Sequence, residues 1–427
     1  MKFLRNKWSL GIIVLLFGLY HIACTPEKND TPQLASIDNQ LIIDINEFTY
    51  TIANEHDQFM SFIGVRALAM VHLAIHDILN VAEPKYESYF LEDQSKQGNL
   101  IAASIKACEH ILTTVYPQRA DTIQRHCTKW LDTLADTSEK NKGIAFGIKV
   151  AKELIRLRAK DGHEKNGTYT PMTKAGDYQY TPGFDWVWKP DFSVAKPFAL
   201  DSLTQFRVPT PPSLKSKEYA QAFNEVKAFG VRNSEVRTED QTHFAHWWAE
   251  FGEHAWNRVG RITAKSQKLP FIETNRMFAL INMSLYDLYL ASFESKYFYD
   301  FWRPITAILN ADKDGNPSTE VDPDWVPEMI TPPWPDYPST HAAVGACGAY
   351  LIAHVYDTMG VAFQMESVTA LPKAKERRYT NLETAIQDCA DSRIMNGFHF
   401  RFATETGIQQ GQEIANFIST HFLQKKK

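Results

Sequence analysis

Apolar residues recur three to four positions apart through nearly the whole of this sequence, and period-two alternation is almost absent. A chain patterned this way buries one stripe per helix and has little from which to build a sheet. Helical spacing runs through residues 45–53, 62–81, 100–116, 120–134, 141–160, 216–229, 240–261 and 275–299, and then through 340–359, 380–395 and 403–422. The expectation is an all-α, bundle-like body. Two irregular stretches interrupt it: 161–212, rich in aromatics and proline, and 311–338, dense in proline and glycine. Unstructured stretches of that length in a compact protein are either functional or disordered. No internal repeat is visible.

Composition excludes several classes. The 427 residues are 44% apolar and 12% aromatic, ample for a large core and too apolar for a disordered chain. Lys plus Arg number 45 against 50 Asp plus Glu, so no basic excess argues for a nucleic-acid partner. Lys2, Arg5 and Lys7 precede an apolar run from Leu10 to Ala23, the pattern of a secretory signal. Ala23-Cys24, followed by a polar stretch, resembles a bacterial lipoprotein signal, which makes Cys24 the lipidated first residue. That resemblance implies a membrane-anchored protein of the bacterial cell envelope: signal 1–23, tether 24–40, N-terminal helical region 41–270, and a helical core 271–427 that carries the chemistry. Past residue 24 no apolar run reaches the roughly 18–20 residues that span a bilayer. An envelope address permits disulfides; Cys108 with Cys127 is the plausible local pair, and the alternative is that Cys108, Cys127, Cys347 and Cys389 are all buried thiols.

Three short segments concentrate anion-binding chemistry. Lys296 and Arg303 lie seven apart, two helical turns on nearly one face, so their long side chains can converge on one anion. Ser339-Thr340-His341, after Tyr337-Pro338 and before an Ala-rich run, reads as a helix start. There, first-turn N–H groups and the positive dipole end favour an oxyanion, with Ser339 as an added donor or simply the cap. Arg393 and His399 would fall about 120° apart on an unbroken helix, and Gly397 offers the break that swings them onto one target. Together, two arginines, a lysine, a serine, a helix N-terminus and two histidines make a pocket for a multiply charged tetrahedral anion.

The spacing Lys-x6-Arg-Pro, Pro-Ser-x-His and Ser-Arg-x5-His resembles the vanadium-dependent haloperoxidase and type 2 phosphatidic acid phosphatase superfamily. The stretches 301–306, 331–338 and 399–402 are similar to its soluble haloperoxidase branch, and the likeness extends upstream through 66–77 and 237–248. The resemblance implies helical bundles of the vanadium haloperoxidase type and a vanadate cofactor, with phosphate able to take the same site. His399 would be the residue bonded to vanadium, or the phosphoryl-accepting nucleophile of a phosphatase. His341 would be the acid–base group. Lys296, Arg303 and Arg393 would neutralise the anion's oxygens, with Lys296 polarising bound peroxide. Ser339 and the Thr340 N–H would donate to the anion, and Trp334 would shape the halide side. The sequence departs from the family's pattern twice: Thr340 stands where glycine is usual, and Ala403 stands where relatives carry an aspartate that orients the metal-bound histidine.

Other candidates read as structural. His72 and His76 have metal-ligand spacing without the Glu of a zinc motif. His243, His246 and His254 flank tryptophans, although Trp256 and Asn257 are placed to line the pocket. Asp312, Asp314 and Asn316 make half a calcium loop, with Pro323 where the closing Glu belongs. Three functions remain open: oxidation of halide by hydrogen peroxide at histidine-bound vanadate; hydrolysis of a phosphomonoester by a histidine nucleophile; or non-catalytic binding of phosphate or vanadate.

Overall fold

The computed structural model describes residues 37–57, 64–92, 95 and 97–426. The signal sequence, Cys24 and most of the tether lie outside the described residues. The body is helical, as expected: α1 (Gln40–Asp57), α2 (Val65–Asn80), α3 (Leu100–Val115), α4 (Ala120–Leu131), α5 (Ser138–Arg158), α6 (Lys217–Phe229), α7 (Glu239–Trp247), α8 (Gly252–Ser266), α9 (Phe271–Tyr299), α10 (Pro304–Leu309), α11 (Thr340–Tyr356), α12 (Leu382–Met395) and α13 (Arg401–His421). No described helix is long and apolar enough to cross a membrane. Helices start where polar side chains take up free first-turn N–H groups. Asn99 accepts from Ala102, Thr137 from Lys140, Ser216 from Tyr219 and Asn381 from Thr384, and Thr238 with Gln241 forms a capping box.

Three features depart from the sequence reading. The helix expected over 240–261 breaks at 248–251 into α7 and α8. A short antiparallel hairpin, β1 (Phe363–Glu366) with β2 (Glu376–Tyr379), escapes a periodicity scan because each strand has four residues. The four described cysteines are buried free thiols; Cys108 and Cys127 touch as thiols and are not bridged.

The long helix α9 is buried along most of its length and serves as the central post, packed by α2 on one side and by α11 on another. On its far side α11 meets α13 at very short range. A Cβ on Gly407 would lie 2.4 Å from the Ser339 carbonyl oxygen, and one on Gly411 would lie 2.1 Å from that of Ala343. Only glycine permits that approach.

The structure also shows a repeated device that the sequence scan passes over. Arg66 and Asp77 on α2 have the same spacing as Arg276 and Asp287 on α9. Asp77 accepts the N–H groups of Tyr89, Phe90 and Leu91 at 2.7–2.8 Å. Asp287 accepts those of Phe198, Ala199 and Leu200 at 2.6–3.0 Å, with the same division between its two oxygens. Each carboxylate thus pins an incoming loop to a core helix. Burial raises both to about 6 against the pull of those N–H groups. Replacing Asp287 with Ala leaves three buried backbone donors unpaired, each costing about 1–3 kcal/mol. We expect Asp287→Ala to lose about 3–5 kcal/mol in urea unfolding, and a loss below about 1 kcal/mol would contradict the pin.

Candidate active site

The segments singled out in the sequence meet at the C-terminal end of α9 and the N-terminal ends of α11 and α13. Lys296 sits in the last turn of α9 and Arg303 just before α10. Ser339 caps α11, His341 occupies its first turn, Arg393 lies at the end of α12, and His399 follows in the connection to α13. Gly397, at φ +78°, makes the turn between the last two. Phe398 N–H reaches back to the Arg393 carbonyl and Gly397 N–H to that of Ile394, closing α12 with a Schellman motif. A side chain at 397 would also strike the Gly230 carbonyl at 2.7 Å.

These residues surround one end of a cavity of about 630 Å³, whose lining includes Thr340, His341, Arg393, His399, Trp334 and Phe398 and contains no carboxylate. The two long irregular stretches supply much of its wall, through Phe184 and Trp186 from one and Met329 to Trp334 from the other. Near the charged end Arg303 Nη2, Arg393 Nε and His341 Nε2 find no partner among the described residues, nor do Thr331 Oγ1 and the two Asp336 carboxylate oxygens; Arg303 itself does not line the cavity. Buried polar atoms are rarely left so. Two guanidinium donors, with no carboxylate in the cavity lining, suit an oxyanion, and the one carboxylate beside them, Asp336, stands 3.8 Å from Arg303 Nη1. No cluster of His, Cys, Asp and Glu fit for a metal cation occurs among the described residues.

Every titratable group here is shifted, chiefly by burial. His341 is driven well below its usual value by burial and Arg393, against a hydrogen bond to the Trp248 backbone that favours protonation. Its Nε2 has no partner among the described residues. Trp248, at the break between α7 and α8, also takes Arg393 Nη1 on its carbonyl at 3.4 Å. One backbone group therefore positions both the imidazole and the guanidinium. His399 is likewise held neutral, by burial and then by Arg303, Lys296, Arg393 and His341. Arg393, also buried, is lowered to about 10.

Lys296 behaves differently from the sequence expectation. Its ammonium donates to the carbonyls of Pro335, Asp336 and Pro338 at 2.9, 2.8 and 2.6 Å, and the residue does not line the cavity. It ties the 335–338 loop to α9. Ser339 Oγ caps α11 by accepting the Ala342 N–H and lies outside the lining. Thr340 lines the cavity with its hydroxyl held by Ser292 at 2.6 Å. Arg303 is fully buried, donating Nε to the Trp334 carbonyl and Nη1 to that of Phe398, with Nη1 3.1 Å from His399 Nε2.

The sequence reading missed Asp336. Its Oδ1 stands 2.8 Å from His399 Nδ1 and 3.8 Å from Arg303 Nη1, neither as an in-line hydrogen bond. Burial raises its carboxyl to about 7 while Arg303 and Lys296 pull it down. A carboxylate thus faces His399 even though position 403 is alanine. The one available signal was an acidic residue placed between Trp334 and Pro338.

The remaining candidates lie elsewhere. His72 bonds to Asn46 and Asn275, and His76 to the Glu87 carbonyl; burial lowers both to about 4. His246 pairs with Glu328, and His254 stacks on Tyr50. Trp256 and Asn257 are core residues rather than cavity lining. Asp314 accepts from the Asn316 N–H and the Thr319 hydroxyl, an Asx turn.

The fold and this cationic, two-histidine site define the class: a helical-bundle protein with the architecture of the vanadium haloperoxidases. Residues 276–426 match the family model of the VCPO second helical-bundle domain, and the resemblance read from the motifs stands on that match. Vanadium chloroperoxidase of Curvularia inaequalis is 29% identical over 181 residues, covering 34% of this chain. The chain spans only 29% of that relative's length. Among solved structures, a bacterial vanadium-dependent iodoperoxidase aligns over 90% of this chain and 98% of its own, with a TM-score of 0.76 and 21% identity. A holo bacterial vanadium-dependent chloroperoxidase aligns over 91% and 93%, with a TM-score of 0.68 and 15% identity.

The unpartnered guanidinium atoms make a direct prediction. Arg303→Ala and Arg393→Ala should each weaken binding of inorganic phosphate by about 1.5–3 kcal/mol, roughly 10- to 150-fold. Isothermal titration calorimetry of the two variants reads this, and unchanged affinity in both would contradict an anion site here.

Proposed function

We propose that this chain is a vanadium-dependent haloperoxidase that oxidises halide with hydrogen peroxide, using vanadate held at His399. The observation that carries this reading is the pair of partnerless buried atoms Arg393 Nε and His341 Nε2 on residues that line the cavity with His399, together with Arg303 Nη2 on the guanidinium that contacts His399. The family match of residues 276–426 supports it. Vanadate in such a site supplies a Lewis-acidic centre that activates peroxide toward halide without a change of oxidation state.

The protein's own part follows from the site. His399 is held neutral by burial and neighbouring cations, the form in which imidazole binds a metal. The Asp336 carboxylate lies 2.8 Å from Nδ1, placed to orient the ring, and an anion bound at Nε2 would displace the Arg303 Nη1 that now stands 3.1 Å from it. Arg303 and Arg393 neutralise oxygens. His341 Nε2, neutral through burial and Arg393, is poised to take a proton from incoming peroxide. Lys296 acts indirectly, by holding the 335–338 loop and with it Asp336. The envelope address read from residues 1–24 belongs to the same proposal: a lipid-anchored protein that meets peroxide and halide outside the cytoplasm.

Residues 25–427 incubated with orthovanadate should form triiodide from iodide and peroxide, and His399→Ala should abolish this. Hydrolysis of p-nitrophenyl phosphate without vanadate, and no halide oxidation with it, would instead assign the same residues to a phosphatase. Asp336→Asn separates orientation from simple charge balance. If Asp336 orients His399, vanadate affinity falls about 10- to 100-fold while phosphate affinity holds or rises. If it only offsets the cations, both affinities rise. Ultraviolet titration and calorimetry read the two anions.

A further inference from the structure

A second cavity, of about 750 Å³, lies between α1, α8 and the hairpin β1–β2 and shares no lining residue with the first. Its volume is in the range of sites for organic ligands. Arg258, Arg261 and Lys265 stand at i, i+3 and i+7 on one face of α8, and all three line the cavity. Lys375, just before β2, adds a fourth cation. The two acids in the lining, Glu47 and Glu366, are both exposed.

Arg258 is already paired: it bonds to the Glu250 carboxylate and to the Glu366 carbonyl. Arg261 is not. It is 7% exposed, its Nη1 donates to Asn46 Oδ1 at 2.8 Å, and it makes no ion pair among the described residues. Its other N–H groups find no partner there either. Burial lowers it to about 10, although Glu47 acts to hold its charge. A buried arginine is almost always paired, and one left without a counter-charge is heavily penalised. An oxyanion seated in the cavity would answer it with two parallel hydrogen bonds.

Charge selects the head group of such a ligand. Arg261, Lys265 and Lys375 against Glu47 and Glu366 leave a single positive charge unmet, which suits a monoanion. The lining also carries Ile43, Ile262, Met365 and Val368, the last of them 70% exposed. Clustered apolar side chains beside a cationic pocket fit a ligand with a hydrocarbon body.

We propose that this second cavity binds an amphiphilic monocarboxylate, a medium-chain organic acid whose head pairs with Arg261 and whose hydrocarbon body covers the apolar lining. The site is separate from the anion site and does not depend on the reaction run there. A neutral molecule would leave Arg261 without a counter-charge, and a phosphate dianion would exceed the positive charge on offer.

Isothermal titration calorimetry with sodium octanoate tests this on the native chain and on Arg261→Met, Lys265→Glu and Arg393→Ala. Saturable binding is expected in the native chain. Arg261→Met and Lys265→Glu should each weaken it at least fivefold, and because Lys265 is exposed its replacement probes the site without disturbing the core. Arg393→Ala, in the first cavity, should leave the octanoate affinity unchanged, and 1-octanol should bind at least fivefold more weakly than octanoate. The proposal is overturned if octanoate does not saturate, or if both second-cavity variants bind it as the native chain does. It is overturned too if Arg393→Ala removes the binding, which places octanoate in the first cavity, or if 1-octanol binds equally well. Tighter binding of octyl phosphate than of octanoate would overturn the monocarboxylate assignment.

Discussion

Three cations buried in one helical core impose the constraint on which the rest depends. Lys296 and Arg303 are fully buried and Arg393 nearly so, and an isolated ion in that setting is heavily penalised. The protein meets the cost with oriented carbonyls and one carboxylate. Lys296 takes three carbonyls of the 335–338 loop, Arg303 takes those of Trp334 and Phe398, and Arg393 takes that of Trp248. Among the described residues, Asp336 is the one acidic side chain placed beside them. One atom on each guanidinium, one on His341 and both Asp336 oxygens stay without a partner among the described residues.

That arrangement explains the backbone around it. The loop 335–338 is shaped by what Lys296 can reach, and this same loop delivers Asp336 to His399. The break between α7 and α8 looks like a lapse in helical pattern until the Trp248 carbonyl is seen to hold both His341 and Arg393. The close approach of α11 and α13, allowed by Gly407 and Gly411, fixes the distance between the helix that carries His341 and the segment that carries His399. Farther out, Asp77 and Asp287 pin loops by the same device, and the second of these loops continues the stretch that forms the aromatic wall.

The departures at 340 and 403 each have a neighbour, distant in sequence, that bears on them. Thr340 adds a side chain at the cavity, but Ser292 ties its hydroxyl down. Ala403 removes a carboxylate from α13, and Asp336 presents one to the histidine ring from another part of the chain. Both compensations cross large sequence separations, so neither departure could be judged from its own neighbourhood.

The all-α fold, most helix positions and the meeting of the Lys296, His341 and His399 segments were legible in the sequence. Helical periodicity, capping residues and motif spacing are local signals, repeated every few residues and independent of what lies across the core. The partners were not legible. That Lys296 bonds to loop carbonyls about forty residues away, that Asp336 faces His399, and that Trp248 holds two site residues are decided by packing. Long-range contacts leave no period in a chain. The short hairpin and the arginine–aspartate device shared by α2 and α9 were missed for related reasons: four-residue strands are too brief for a pattern, and two residues eleven apart look like chance until both carboxylates are seen holding loops. The sequence determined the helices and the chemistry they carry; only the tertiary structure decided which groups face the cavity and which spend their charge on the backbone, because burial and distance, not order along the chain, set the electrostatics.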